Sequence, residues 1–119
     1  MLRLMRSFRW AVCGICYAVK TQPNMKIHLL SAALVLGVGL FLKMSPLELA
    51  VLSLTVFMVL AAEMFNTALE AAVDLVSPRR HPLARIAKDV AAGAVMLTAI
   101  NALVVAYLLI WPRLRELLR

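Results

Sequence analysis

The stretch VAAGAVMLTAINALVVAYLLIW, residues 90–111, decides the fold class of this chain. It runs for 22 residues without a charged side chain, so as an α-helix it can cross the roughly 30 Å hydrocarbon core of a bilayer. Of the 119 residues, 64% are apolar, against about 45–50% in an ordinary soluble domain, and only 16% are charged. A soluble chain of this size cannot bury that much apolar surface. The sequence therefore predicts an all-α integral membrane protein and excludes a soluble domain and a disordered chain.

Two further apolar segments precede this stretch. The first is short for a bilayer, and the helical residues before it make up the length. The second begins after the turn KMSP (43–46), stays uncharged over 49–62 and continues as a more polar helix. No internal repeat stands out, so we expect one domain over residues 1–119 with three transmembrane helices. Their predicted bounds are 24–42, 47–76 and 89–111.

Residues 1–20 have a different pattern, in which apolar and basic side chains alternate at helical spacing. Wound as an α-helix, they place an apolar stripe on one side and the basic side chains on the other. This pattern predicts an amphipathic helix that lies on the membrane surface. A secretory signal is the competing interpretation, but no A-x-A-like cleavage site follows the apolar part.

The basic residues predict the orientation and the kind of partner. Nine lie in the N-terminal arm, the first linker and the second loop: Arg3, Arg6, Arg9, Lys20, Lys26, Arg79, Arg80, Arg85 and Lys88. Four lie on the opposite side: Lys43, Arg113, Arg115 and Arg119. The excess predicts a multi-pass protein of the cell membrane with the first set facing the cytoplasm. The net charge of +7 suits anionic headgroups or nucleotides better than nucleic acid.

The segment EMFNTALEAAVD, residues 63–74, carries the most informative chemistry. Helical rotation places Glu63, Asn66, Glu70 and Asp74 within about 80° of one another, on one face. Carboxylates close to hydrocarbon are costly, so this face is expected to line a bundle interior or a wet cavity, with oligomerisation as a natural way to bury it. Mg²⁺ suits such a face, because it takes one or two carboxylates and completes its shell with water and phosphate oxygens.

The residues by themselves leave alternatives open. The acids can pair with the basic loop, form a proton or cation pathway without catalysis, or belong to a structural subunit. Asp89 can simply lie in the first turn of its helix, where a negative charge is favourable. The basic loop can act only as a membrane anchor. His28 and His81 have no metal-ligand spacing, and no Walker A glycine loop is present.

The segment 63–74 resembles the signature of the prokaryotic diacylglycerol kinase family, and HPLARIAKDVAAGAV (81–95) extends the likeness. The loop pattern SPxxHPLA (77–84) is more similar to the Gram-positive branch, whose members are undecaprenol kinases. The resemblance implies a homotrimer of three-span subunits whose active sites are shared between neighbours. It further implies Mg²⁺- and ATP-dependent phosphorylation of a membrane lipid alcohol. Undecaprenol, converted to undecaprenyl phosphate, is the first expectation, and diacylglycerol is the alternative.

The resemblance also implies roles for individual residues. Glu63 resembles the general base, Glu70 the carboxylate that binds magnesium, and Asn66 and Asp74 lie where they would support that site. The positions that match nucleotide-binding positions are Arg3, Trp10, Gln22, Glu70, Arg79, Arg80, His81, Lys88 and Asp89.

Gln22 departs from the family pattern. It stands where the family usually has a glutamate that joins Glu70 at the metal. An amide offers magnesium a neutral oxygen but no charge, so the metal site implied by the resemblance consists of Glu70 and Gln22, with weaker affinity expected.

Overall fold

The structure, a computed structural model, describes residues 1–119 and consists of four α-helices without any strand. The helices are α1 (Leu2–Thr21), α2 (Pro23–Phe41), α3 (Pro46–Val76) and α4 (Pro82–Leu117). By length and composition, α2, α3 and α4 can each cross a membrane. The all-α class with three candidate membrane helices after an N-terminal helix is thus confirmed.

Proline and capping residues fix the helix starts. Pro23, Pro46 and Pro82 each occupy the first turn, where the missing N–H costs no hydrogen bond. Helix α3 opens with a capping box: Glu48 N–H donates to Ser45 Oγ at 3.3 Å, and Ser45 N–H donates to Glu48 Oε2 at 2.7 Å. These local signals set the loop geometry at both ends of the bundle.

Helix α4 is longer than the segment 89–111 expected from the sequence. It begins at Pro82 and continues through Pro112 to Leu117. The His81 side chain caps its start, since Nδ1 accepts a hydrogen bond from Leu83 N–H at 3.2 Å. The run of uncharged residues marks the part of a helix that suits hydrocarbon, whereas caps decide where the helix begins. The membrane boundaries within the helices stay predictions.

Helix α3 lies at the centre of the bundle. It packs against α4 along much of its length and against α2 and α1 over shorter stretches. Gly39 of α2 allows close contact, because a Cβ there would lie 3.1 Å from both Leu49 Cδ2 and Met44 Sδ. Only 13 of the 119 residues are buried, so most apolar side chains face outward, as expected of a thin bundle surrounded by lipid or by further subunits.

An ion pair joins α3 and α4 at the end of the bundle near Ser45. The guanidinium of Arg113 holds both carboxylate oxygens of Glu48, with Nη2–Oε2 at 2.6 Å and Nε–Oε1 at 3.3 Å. Arg113 is one of the basic tail residues that argue against the predicted orientation. Because Glu48 neutralises it, the free positive charge at this end is smaller than the sequence suggests.

We expect Arg113→Ala to lower the thermal unfolding midpoint in detergent micelles by about 5 °C, because a bidentate charged contact is lost. The measurement is circular dichroism during heating. Arg115→Ala is the matched control, since Arg115 is exposed and makes no ion pair. Equal midpoints for the two variants would contradict a stabilising role of the pair.

Candidate active site

Glu63 lies where α2, α3 and α4 meet, and its side chain is only 1% exposed. It faces a cavity of about 270 Å³. The cavity is lined by Asn24, Ile27, His28, Glu63, Asn66, Ala92, Val95, Met96 and Ala99. No hydrogen bond or ion pair within the chain holds the Glu63 carboxylate. A carboxylate buried without a partner is expensive, so its presence favours a function in proton or ligand chemistry.

Asn66 and Glu70 continue this face one and two turns further along α3. Asn66 Nδ2 donates to Glu70 Oε1 at 3.2 Å, which holds the Glu70 carboxylate in place. Asn66 Oδ1 is buried and has no hydrogen-bond partner in the chain. The helix thus presents a buried acid, an unsatisfied amide oxygen and a half-buried acid in sequence, as the spacing predicted.

Beyond this face, a larger polar groove opens between the end of α3 and the start of α4. Its volume is about 830 Å³, and its charged and imidazole lining consists of Asp74, Arg79, Arg80, His81, Arg85, Lys88 and Asp89. Lys88 Nζ contacts Asp74 Oδ1 at 2.5 Å, which joins the two helices across the groove. The groove is basic overall and close in chain position to Glu70.

The acidic face is therefore only partly paired with basic residues. Asp74 binds Lys88, and Asp89 lies 3.7 Å from Arg85 within α4. Glu63 and Glu70 have no basic partner. The interpretation that all acids serve as ion-pair partners of the basic loop thus holds for Asp74 and fails for the two acids nearest the cavity.

The donor set around Glu70 fits a magnesium ion that is bound mainly through phosphate and water. Only one Glu70 oxygen accepts from Asn66, so the other is free of protein hydrogen bonds. No group of three or more His, Cys, Asp or Glu side chains converges as a closed metal cage. Mg²⁺ is commonly held by one or two carboxylates plus substrate phosphates, and Glu70 with the nearby unsatisfied Asn66 Oδ1 suits that mode.

Three predicted site residues line neither the Glu63 cavity nor the basic groove: Arg3, Trp10 and Gln22. Arg3 and Trp10 lie exposed on α1, with Trp10 69% exposed. Gln22 lies between α1 and α2, where its Nε2 donates to Thr21 Oγ1 at 3.5 Å, and no hydrogen bond joins it to Glu70. Their roles at a nucleotide or metal stay predictions.

Two polar residues of α2 that the sequence did not assign to the site also line the cavity. Asn24 and His28 stand four residues apart, about one helical turn, and line the same cavity as Glu63. In the sequence, His28 has no metal-ligand spacing that would mark it as a site residue. The helical periodicity from Pro23 onward predicts that the two residues share one face of α2. It does not predict that this face packs against α3.

An apolar groove of about 250 Å³ continues from this cavity along the bundle. The two spaces share Ile27, His28 and Ala99, so they are contiguous. Small side chains such as Ala102 and Ala106 keep the groove open on the α4 side. A polar cavity that leads into an apolar groove can accept a molecule with a polar head and a hydrocarbon chain.

The fold and site define a class: a helical membrane protein with an unpaired buried acid between an apolar groove and a basic one. A sequence model described as prokaryotic diacylglycerol kinase matches residues 9–110. The chain therefore belongs to the prokaryotic diacylglycerol kinase family, a family of membrane lipid kinases, which confirms the resemblance of the 63–74 motif.

Individual relatives support the same assignment. The chain is 45% identical to a diacylglycerol kinase of Synechocystis over 97% of its own length and 66% of that protein's. It is 36% identical to an undecaprenol kinase of Bacillus subtilis over 94% and 91% of the two lengths. A diacylglycerol kinase of Pseudomonas aeruginosa is 31% identical over 83% of this chain and 82% of the relative. The chain thus spans slightly less than two thirds of the Synechocystis protein.

Proposed function

We propose that the chain phosphorylates a membrane lipid alcohol with ATP and magnesium, with undecaprenol as the first candidate substrate and undecaprenyl phosphate as the product. The observation that carries this proposal is the buried, unpaired Glu63 between the apolar groove and the basic groove. A lipid alcohol and a nucleotide are the two ligands whose chemistry suits the two grooves.

Glu63 is proposed as the base that accepts the proton of the lipid hydroxyl. The hydroxyl oxygen forms a bond to the γ-phosphorus of ATP, and the bond from that phosphorus to the bridging oxygen breaks. ADP leaves with the electron pair of the broken bond, and the hydroxyl proton moves to the Glu63 carboxylate. Because no group in the chain occupies that carboxylate, it is free to take the proton.

The basic groove is proposed to hold the ATP phosphates. Phosphoryl transfer depends mainly on positioning and charge neutralisation, and Arg79, Arg80, His81 and Lys88 supply cationic or hydrogen-bonding side chains there. Asp74 fixes Lys88, and Asp89 is proposed as a further nucleotide contact. Magnesium, when bound with ATP, neutralises phosphate charge. Glu70 is its proposed ligand, and Gln22 is a second, neutral one.

The lipid is proposed to lie with its chain in the apolar groove and its hydroxyl at Glu63. This arrangement suits an active site on the cytoplasmic side of the cell membrane, where ATP is available. We further propose a homotrimer with active sites shared between neighbours, as the family resemblance implies, in which Arg3 and Trp10 contact the nucleotide. The largely exposed apolar faces of the bundle favour such an assembly.

Diacylglycerol is the second candidate substrate. The 45% identity to a diacylglycerol kinase favours it. The loop pattern over 77–84 and the 36% identity to an undecaprenol kinase, with 91% of that relative covered, favour undecaprenol.

The test offers undecaprenol and diacylglycerol separately to the purified protein in mixed micelles with magnesium and ATP. The two lipids are compared by their kcat/KM values, and we expect the higher value for undecaprenol. A higher kcat/KM for diacylglycerol would keep the kinase and overturn the proposed substrate. Transfer to neither lipid by a folded protein would overturn the proposed function.

A further inference from the structure

The apolar groove beside the Glu63 cavity lies between α2 and α4, and α3 forms its floor. It is lined over residues 27–35 of α2 and 99–106 of α4. Because an α-helix rises 1.5 Å per residue, these two walls are about 10–12 Å long. The α3 residues of the floor precede Glu63 in the chain, so the groove runs from the cavity toward the start of α3.

The cavity and the groove differ in how their buried polar groups are satisfied. At the cavity, the Glu63 carboxylate and Asn66 Oδ1 have no hydrogen-bond partner in the chain. In the groove, the buried Thr55 hydroxyl donates to Leu52 O at 2.8 Å within α3, so it needs no partner from a ligand. A molecule that matches both spaces therefore has its polar group at Glu63 and an apolar chain in the groove.

The α4 wall of the groove consists largely of alanine. Ala99, Ala102 and Ala106 recur at spacings of three and four residues, so they share one face of α4. The other two helices contribute valines, whose β-branched side chains have little rotamer freedom. These are Val35, Val56 and Val59. The width of the groove thus depends on the small side chains of α4, since the opposite walls adjust little.

Small residues on a membrane helix often serve close packing against another helix. Within the chain, however, Ala102 and Ala106 border an open space of about 250 Å³ rather than a neighbouring helix. That space is contiguous with the cavity of the buried, unpaired Glu63, which itself indicates a ligand. A lipid chain is therefore the favoured occupant, and a helix of a second copy of the chain is the alternative.

We propose that Ala102 and Ala106 are specificity-determining residues, which make the groove wide enough for the methyl-branched chain of a polyprenol. This inference rests on the proposed lipid kinase function and deepens it. Each isoprene unit carries a methyl branch and a rigid double bond, so a polyprenol chain is wider and stiffer than a saturated acyl chain. The groove holds the part of the chain next to the hydroxyl, and the rest of a long polyprenol lies in the bilayer.

Ala102→Leu narrows the groove without changing its polarity. We expect kcat/KM for undecaprenol to fall about tenfold or more, because even one surplus methylene in an apolar site costs about tenfold. A saturated acyl chain can bend around the added side chain, so kcat/KM for a diacylglycerol should fall less than about threefold. The KM for ATP should change less than about twofold, since Ala102 does not line the basic groove.

The experiment measures kcat/KM for undecaprenol and for a diacylglycerol with saturated chains, in mixed micelles, for the wild type and each variant. Ala94→Leu is the matched control, because Ala94 is exposed on α4 and lines neither space. Ala106→Leu narrows the same groove about one helical turn further along, and it decides if Ala102→Leu fails to fold. Gel filtration of every variant reports its oligomeric state.

An equal fall in kcat/KM for the two lipids, or no fall for either, would overturn the inference while leaving the kinase intact. Equal losses together with a changed elution volume would assign these alanines to a contact between copies of the chain. Wild-type transfer to diacylglycerol alone would overturn both the proposed substrate and the inference. Wild-type transfer to neither lipid would instead overturn the proposed function.

Discussion

Glu63→Gln is expected to reduce kcat for lipid phosphorylation by about 100-fold or more while leaving ATP binding intact. The amide has the shape of the carboxylate but accepts a proton from an alcohol very poorly. Glu63 is buried and has no partner in the chain, so the substitution breaks no ion pair or side-chain hydrogen bond. The measurements are the initial rate of labelled lipid formation and the binding of a fluorescent ATP analogue.

Glu116→Gln is the matched control for this variant. It makes the same chemical change at an exposed residue near the opposite end of the bundle, where Glu116 has no ion pair. Gel filtration and circular dichroism establish that both variants are folded. Near-normal turnover by Glu63→Gln would remove Glu63 from the chemistry.

The second large effect is expected at the metal. Glu70→Gln should raise the magnesium concentration for half-maximal activity by at least about tenfold, because the proposed magnesium ligand loses its charge. Activity should recover in part at high magnesium. The measurement is a magnesium titration at fixed, saturating ATP and lipid.

Asn66 allows a further comparison in the same titration. Asn66→Leu removes the 3.2 Å hydrogen bond to Glu70 without removing the carboxylate, so it should shift the titration in the same direction but less. Glu116→Gln again provides the matched carboxylate-to-amide control. A magnesium titration of Glu70→Gln that coincides with the wild type would rule out Glu70 as the ligand.

Much of the fold could be predicted because membrane helices are specified by simple patterns. The uncharged stretch 90–111 and the two apolar segments before it predict three membrane helices, and the structure has three helices long and apolar enough to cross a membrane. The length of α4 could not be predicted from hydropathy. Its charged first turns and the turns after Pro112 are held by caps and by the Arg113–Glu48 pair, which hydropathy does not detect.

The candidate site was predictable where it depends on one helix and unpredictable where two helices meet. The spacing of Glu63, Asn66 and Glu70 is local, so helical rotation was enough to place them on one face. The Lys88–Asp74 contact joins residues on different helices. Likewise, His28 and Glu63 line one cavity from two different helices. Such pairings depend on the rotation of each helix about its axis, which the periodicity of a single helix does not determine.

The most direct test of a lipid kinase uses the purified protein reconstituted in vesicles that contain undecaprenol and diacylglycerol. Labelled lipid phosphate and charge movement across the membrane are recorded together, with and without ATP. A kinase predicts label in lipid only when ATP and magnesium are both present, and no ion flux without ATP. Charge movement in the absence of ATP, with no labelled lipid in its presence, would instead identify the acids of α3 as an ion pathway and contradict phosphorylation.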